Sequence, residues 1–350
     1  MLPGGYRIQY GYAPTGIADL PIDTIGRWAI LVCERRTGRL AGTGHPPQRR
    51  RPEDKRMKIL VTAAAGHQGK LLIPKLSAAG HRVRAARKSP GKEAELEALG
   101  AEAVVVGDLA DVETYCQALD SCDAVYHIGP GGIEREKESG LAMIEAARRC
   151  GTRHVVLSSV LYSNVDIIQH RYKRDIEEKL AESGLNWTVL KPTNFMMTEV
   201  HIYPVLKTGK FPEWRQTPPG WRENLIDVGD IAEVAAKVLC EGERHYYANY
   251  DLCGPDRLTA DETSRILSRL LGREIPVVYW APDDLAAFFG GAMTPTPDSK
   301  HQLDVFRSIA RWYSEHEFVG NPNTLEWLLG RRGTSFEQWA HRTLKDLGAI

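Results

Sequence analysis

Paired cysteines are absent from this 350-residue chain. Its six cysteines, Cys33, Cys116, Cys122, Cys150, Cys240 and Cys253, are scattered, and no two stand in a C-x-x-C arrangement. That spacing argues against a zinc ribbon and a disulfide scaffold and suits a reducing, cytoplasmic compartment. Net charge is absent too: 45 Lys and Arg balance 45 Asp and Glu. Nothing global therefore draws the chain to nucleic acid or to a membrane surface. No apolar run approaches the roughly 20 residues that span a bilayer. The histidines are isolated and offer no metal triad, and neither a G-x-S-x-G elbow nor a Walker loop occurs. What remains is an ordinary globular composition, 43% apolar and 26% charged, long enough for one large domain or two modest ones.

The zero charge hides an asymmetry. Residues 1–56 carry ten Lys/Arg and five Asp/Glu, a surplus of +5 that the rest of the chain cancels. This segment is rich in Gly and Pro and ends in Pro46-Pro47-Gln48-Arg49-Arg50-Arg51-Pro52. Its apolar run, Trp28 to Cys33, is too short and too far in for a secretory signal, and Asp19, Asp23 and Glu34 count against a mitochondrial presequence. We therefore expect residues 1–56 to be a disordered or non-native leader and the folded chain to begin at Met57.

From Met57 onward strands and helices alternate. The pattern predicts strand 57–62, helix 67–79, strand 81–87, helix 90–99, strand 102–107, helix 111–119 and strand 122–128. Helix 134–149, strand 153–159, helix 170–182 and strand 187–191 follow. Runs such as Ala103 to Val106 and His154 to Leu157 read as strands buried on both faces. Alternation of this kind predicts an α/β fold, a doubly wound parallel Rossmann sheet with its ligand beyond the carboxyl ends of the strands. The chain beyond residue 200 reads less regularly. Helices are expected from about Asp230, from the capping box Thr259-x-x-Glu262 to Gly272, over 299–315, and over 335–346 behind Ser335-x-x-Gln338. This divides the chain into the leader, a nucleotide-binding core over 57–200, and a smaller, mainly helical C-terminal substrate lobe over 201–350 with interleaved sheet elements.

The first βα turn carries the chemistry. Ile59 to Val61 stop abruptly at small residues, and a helical pattern of Leu71, Leu72, Ile73 and Leu76 follows at once. Gly66 lets backbone come close to a pyrophosphate, and Gly69 lets the helix pack close on the strand. The unpaired N–H groups at that helix start favour phosphate charge. An ordinary βα turn has the same small residues, so the second strand's end matters. Folds specific for NAD place Asp or Glu there, whereas this chain has Arg87 and Lys88. A guanidinium suits a phosphate bidentately, so the pair points to NADP(H); the alternative is two solvated strand-end charges. His127-Ile128-Gly129-Pro130-Gly131-Gly132 ends the fourth strand, either as backbone beside the ribose and nicotinamide or as a plain turn.

Val61-Thr62-Ala63-Ala64-Ala65-Gly66-His67-Gln68-Gly69 resembles the T-G-A-T-G-x-x-G loop of NmrA-like proteins, a branch of the atypical short-chain dehydrogenase/reductases. Gly107-Asp108-Leu109, Ser158-Ser159, the run from Lys173 to Pro192, Asn194-Phe195, Ile226 to Glu233 and Tyr250 to Pro255 match later landmarks of that family in order. The resemblance covers about 57–345. It implies an NADP(H) site in which Thr62, Ala64, Gly66, His67, Gln68 and Gly69 form the phosphate loop. Asp108 and Leu109 lie at the adenine edge, although Asp108 serves equally as a cap for the following loop. Ile128, Gly129, Pro130, Ser158, Pro192, Asn194 and Phe195 then surround the ribose and nicotinamide, and Lys173 is the general acid/base or a ribose ligand. Phe195, Met196, Met197 and Tyr162 wall an apolar substrate pocket or belong to the core, and the region of Tyr203, Trp214 and Trp221 reads as an adaptable loop over the same mouth.

Two departures from the family pattern stand out. The first loop glycine is Ala63, whose methyl is tolerated if φ stays negative and otherwise tightens the turn. The Tyr-x-x-x-Lys pair of typical short-chain relatives is missing, because Gln169 stands four residues before Lys173. His170, Arg171 and Arg174 are the nearest sources of positive charge for that lysine, and Lys173 with Glu177 forms an ordinary i,i+4 pair in the bland alternative. The expected function is NADPH-dependent reduction of a small organic acceptor such as a quinone or conjugated carbonyl. The alternative is a non-catalytic NADP(H) redox sensor that regulates a partner protein. The partner is accordingly a small-molecule substrate or a regulatory protein, and no oligomeric state follows from the sequence.

Overall fold

The computed structural model describes residues 56–130, 135–213, 217–281 and 297–350. The expected leader, apart from Arg56, lies outside the described residues, as do Gly131, Gly132 and Trp214.

Strands β1 (Lys58–Val61), β2 (Arg82–Arg87), β3 (Ala101–Val106), β4 (Ala124–Ile128), β5 (His154–Ser158) and β6 (Trp187–Pro192) carry the predicted alternation. Three short strands follow, β7 (Asn194–Phe195), β8 (Phe211–Glu213) and β9 (Glu223–Ile226), before β10 (Ala248–Leu252) returns to the main sheet. That sheet is parallel throughout, in the order β10-β6-β5-β4-β1-β2-β3. The order reverses at β1, where Val61 pairs with Ala85 on one side and Tyr126 on the other. A crevice at such a switch point is where this architecture binds its ligand.

The helices are α1 (His67–Ala78), α2 (Glu93–Ala98), α3 (Val112–Ala118), α4 (Glu136–Cys150) and α5 (Ile168–Ala181). In the second half come α6 (Thr198–His201), α7 (Tyr203–Thr208), α8 (Val228–Glu241), α9 (Ala260–Leu271), α10 (Pro297–Tyr313), α11 (Asn323–Leu329) and α12 (Phe336–Asp346). Successive strand residues face opposite sides, so two cores form. Ile59 and Val61 join Leu72, Leu76, Ile231 and Val234 under α1 and α8, while Leu60 joins Tyr115, Met143 and Ile176 under α3, α4 and α5. Burial on both faces is why the strands read as continuous apolar runs. Helix α2 starts later than expected because Gly91 adopts φ 104°, which holds the chain out of the helix.

Both predicted capping boxes form, Thr259 with Glu262 and Ser335 with Gln338. The second half contributes sheet elements in two ways. It lends α8 and β10 to the main sheet, and it builds two small sheets, β7-β9 with β11 (Arg257–Leu258), and β8 with β12 (Val277–Tyr279). Strands of two to four residues carry too few alternations to be read as strands. The remainder encloses its own core around Phe211, Leu267, Phe336 and Trp339.

Candidate functional site

The turn after β1 is held from below by its own side chains. Thr62 is fully buried; its Oγ1 donates to the Ile128 carbonyl at 3.0 Å and accepts from the Ile128 N–H at 2.8 Å. That clamp fixes the ends of β1 and β4 at the switch point. Ala63 then adopts φ 45°, so the family's missing glycine is felt: φ is positive here, because the Gly66 N–H turns back to the Ala63 carbonyl at 2.9 Å. A Cβ on Gly69 would sit 2.3 Å from the Ala64 carbonyl oxygen, so α1 can approach the turn only with glycine there. Gly66 caps α1 with no side-chain hydrogen bond, which leaves the first N–H groups facing the crevice end of the sheet. Gln68 is buried, and its Oε1 accepts from Tyr126 Oη at 2.5 Å and Ser158 Oγ at 3.0 Å. Gln68 and Ser158 are thus brought together, but as a brace between α1, β4 and β5. His67 is exposed at the first helical position, its Nε2 3.7 Å from Glu199 Oε1 on α6.

Arg87 ends β2. Its Nε and Nη1 are buried without a hydrogen-bond partner among the described residues. Lys88 beside it is exposed. A small cleft runs from Lys88 past Asp108, Leu109 and Pro130 to Arg135 and Ser139. Asp108 both caps its own loop, accepting from the Ala110 N–H at 3.0 Å, and accepts from Arg135 Nη1 at 2.9 Å. The Ala110 amide, and next the guanidinium, hold its carboxyl below the usual range. Leu109 is core on the α3–α4 side.

Lys173 projects from α5 into the same end of the sheet. Its ammonium lies 2.7 Å from Glu136 Oε1 and donates to the Ser158 carbonyl at 3.1 Å. A Cβ on Gly129 would stand 3.0 Å from that carboxylate oxygen and 3.1 Å from the ammonium, so the pair rests on bare backbone just past β4. The anticipated sources of positive charge point elsewhere. Arg171 pairs with Asp166, Arg174 lies 3.7 Å from Asp175, and His170 Nδ1 meets the Tyr162 carbonyl at 2.9 Å. Burial pushes the His170 imidazole down to about 4, so it is neutral. The bland Lys173–Glu177 pair does not form either. Glu177 instead accepts from Ser159, from Ser163 at 3.0 Å and from Lys191 at 2.8 Å.

Past β6, Pro192 leads to Asn194, whose Nδ2 donates to Glu223 at 2.9 Å and to Tyr313 Oη at 2.7 Å. Phe195 is half-buried against the α1–α8 core, and Met196 belongs to the core of the second half rather than to a pocket wall. Tyr162 donates to the Val319 carbonyl at 2.6 Å, and Tyr203 begins a helix rather than a loop. Sequence reasoning missed Arg135, Glu136 and Tyr126. The run Glu134, Glu136, Glu138 has no spacing that marks one acid as internal, and Tyr126 reads as one more apolar strand residue.

The fold and the glycine turn are those of the Rossmann class. The sequence pattern of the NmrA-like family matches residues 55–344, and the chain belongs to that family. It is 28% identical over 295 residues to an NAD(P)H azoreductase of Xenophilus azovorans, covering 83% of this chain and 99% of that protein. Its fold matches an NADPH-dependent quinone oxidoreductase of Escherichia coli solved with NADPH, at TM-score 0.66 and 21% identity, over 83% of this chain and 99% of that one. It also matches NmrA, a negative transcriptional regulator solved with NADP, at TM-score 0.67 and 17% identity, over 85% and 98%. Among the described residues no helix is long and apolar enough to cross a membrane, and no cluster of ligating side chains suits a metal ion.

Proposed function

We propose that this chain binds NADP(H) across the carboxyl ends of β1, β2 and β4 and uses NADPH to reduce a small organic acceptor, a quinone or another conjugated carbonyl. Arg87 carries the cofactor reading. A guanidinium with two buried nitrogens unpaired among the described residues, at the end of β2, calls for an anionic acceptor, and a ribose 2′-phosphate supplies one. The uncapped start of α1 suits a pyrophosphate in the same groove. NADPH, once bound, supplies the hydride. In this reading Lys173 orients a ribose hydroxyl or passes a proton to the acceptor's oxygen, Phe195 shields the reacting face, and Thr62 and Gln68 keep the strand ends in place. The azoreductase relative and the quinone oxidoreductase neighbour support an acceptor of this class.

A specific observation favours a second reading, a non-catalytic NADP(H) sensor acting on a partner protein. Gln169 leaves no phenol at the position four residues before the lysine, and the lysine itself is tied to a carboxylate. The likeness to NmrA is in keeping with this. Calorimetric titration with the oxidised and reduced forms of both dinucleotides, followed by an NADPH-consumption screen over quinones and enones, separates the two. Turnover with any acceptor supports the reductase, tight NADPH binding without turnover favours the sensor, and no binding of either NADP form defeats both.

A further inference from the structure

We propose that Glu136 is the positioning residue of this site, holding Lys173 where one donor of its ammonium is presented to the nicotinamide-side ribose. The inference rests on the cofactor reading above and adds to it a residue that no motif singles out. Glu136 is 1% exposed and Lys173 12%, and burying a carboxylate that deep is costly without a cation beside it. Lys173 supplies that cation at 2.7 Å. An ammonium has three donors; one goes to the Ser158 carbonyl and Glu136 stands beside it as an ion-pair partner, which leaves donor capacity for a ligand.

The helices are built to bring the two charges together. Glu136 opens α4, where the helix start favours an acid. One turn further on, a Cβ at Gly140 would come 2.4 Å from Ile176 Cδ1, so α4 and α5 touch at a residue with no side chain. Ile176 is three residues after Lys173, on the same stripe of α5. That close approach lets the short Glu136 side chain reach the ammonium. Gly129, against which both charges pack, belongs to the loop after β4, at the crevice where the ribose would lie.

The test uses two probes on the full chain, NADPH and adenosine 2′,5′-bisphosphate, which carries the adenine and the 2′-phosphate but no nicotinamide ribose. Glu136→Gln should weaken NADPH binding about ten- to a hundredfold, the range for losing one charge-assisted contact, and leave the bisphosphate affinity unchanged. Glu136→Asp should recover part of the loss. In the Lys173→Met background, Glu136→Gln should have no further effect on NADPH affinity, because the residue acts only through the lysine. The doubly neutral variant also guards against a fold failure in either single one. Unchanged NADPH affinity in Glu136→Gln would overturn the proposal. So would an equal loss of both probes, which marks a merely structural role. If wild type binds neither probe, the cofactor reading fails and takes this inference with it. If wild type binds both and the variants differ only in stability, the cofactor reading stands and Glu136 is structural.

Discussion

Replacing Arg87 with methionine should move ligand-free stability and cofactor affinity in opposite directions. Two of the guanidinium nitrogens are buried without partners among the described residues, although the residue as a whole is only half-buried. An unsatisfied buried donor costs about 1–3 kcal/mol, and partial exposure puts this site at the lower end. Methionine keeps the apolar stem and removes the unmet charge. We therefore expect ligand-free stability to hold or to rise by about 1 kcal/mol, which is roughly 2 °C in Tm for a chain of this size. NADPH affinity should fall, because a charge-assisted phosphate contact contributes about 1.5–3 kcal/mol, or ten- to a hundredfold in Kd. NADH, lacking the 2′-phosphate, should bind the variant and the wild type alike. Scanning fluorimetry without ligand and calorimetry with each dinucleotide measure the three quantities. A lower Tm together with equal losses for NADPH and NADH would refute the argument, since it would make Arg87 a structural residue.

Three further expectations follow from the same geometry. Ala63→Gly should stabilise the fold by about 1 kcal/mol, because an L-residue at φ 45° is strained and glycine is not; a lower urea midpoint would count against the strained turn. Lys173→Met should lower NADPH turnover about 10²–10⁴-fold if the lysine takes part in the chemistry. It should also destabilise the chain by about 3 kcal/mol by removing the cation beside the buried Glu136 carboxylate, and adding Glu136→Gln should restore most of the stability but not the turnover; unchanged turnover would exclude the lysine from the reaction. Finally, burial pushes His127 down to about 3 and His154 and His170 to about 4. Unfolded histidines take up protons below about pH 6.5 that His154 and His170 refuse until near pH 4 and His127 until near pH 3, so stability is full above that range. It should fall by up to about 1.4 kcal/mol per pH unit per histidine as pH drops through the window. Urea unfolding between about pH 7.5 and pH 4.5 checks this, and a flat profile would mean that the histidines are not held neutral.

The sequence by itself determined the order of elements through β6, because each strand is an apolar run buried on both faces and each helix has its own start and stop. It determined Gly69 as a contact glycine, since a βα turn this tight leaves no room for a methyl. It also marked Arg87 and Lys88 as a basic end to the second strand, where folds specific for NAD place an acid. These are local matters, settled within a few residues of chain. What only the tertiary structure decided lies between segments far apart in sequence. Glu136 meets Lys173 because α4 and α5 touch at Gly140, and no pattern in Glu134, Glu136 and Glu138 says which acid faces inward. Gln68, read as a loop residue, braces Tyr126 and Ser158. The second half reads as a mainly helical lobe with interleaved sheet elements, but only the packed chain shows that β10 extends the main sheet beside β6 and that α8 covers it beside α1. Parallel strands pair through crossovers with a minimum length of about a dozen residues but no fixed upper one, so adjacency in the sheet is set by which apolar faces are left to cover, and that is known only once the rest of the chain has packed.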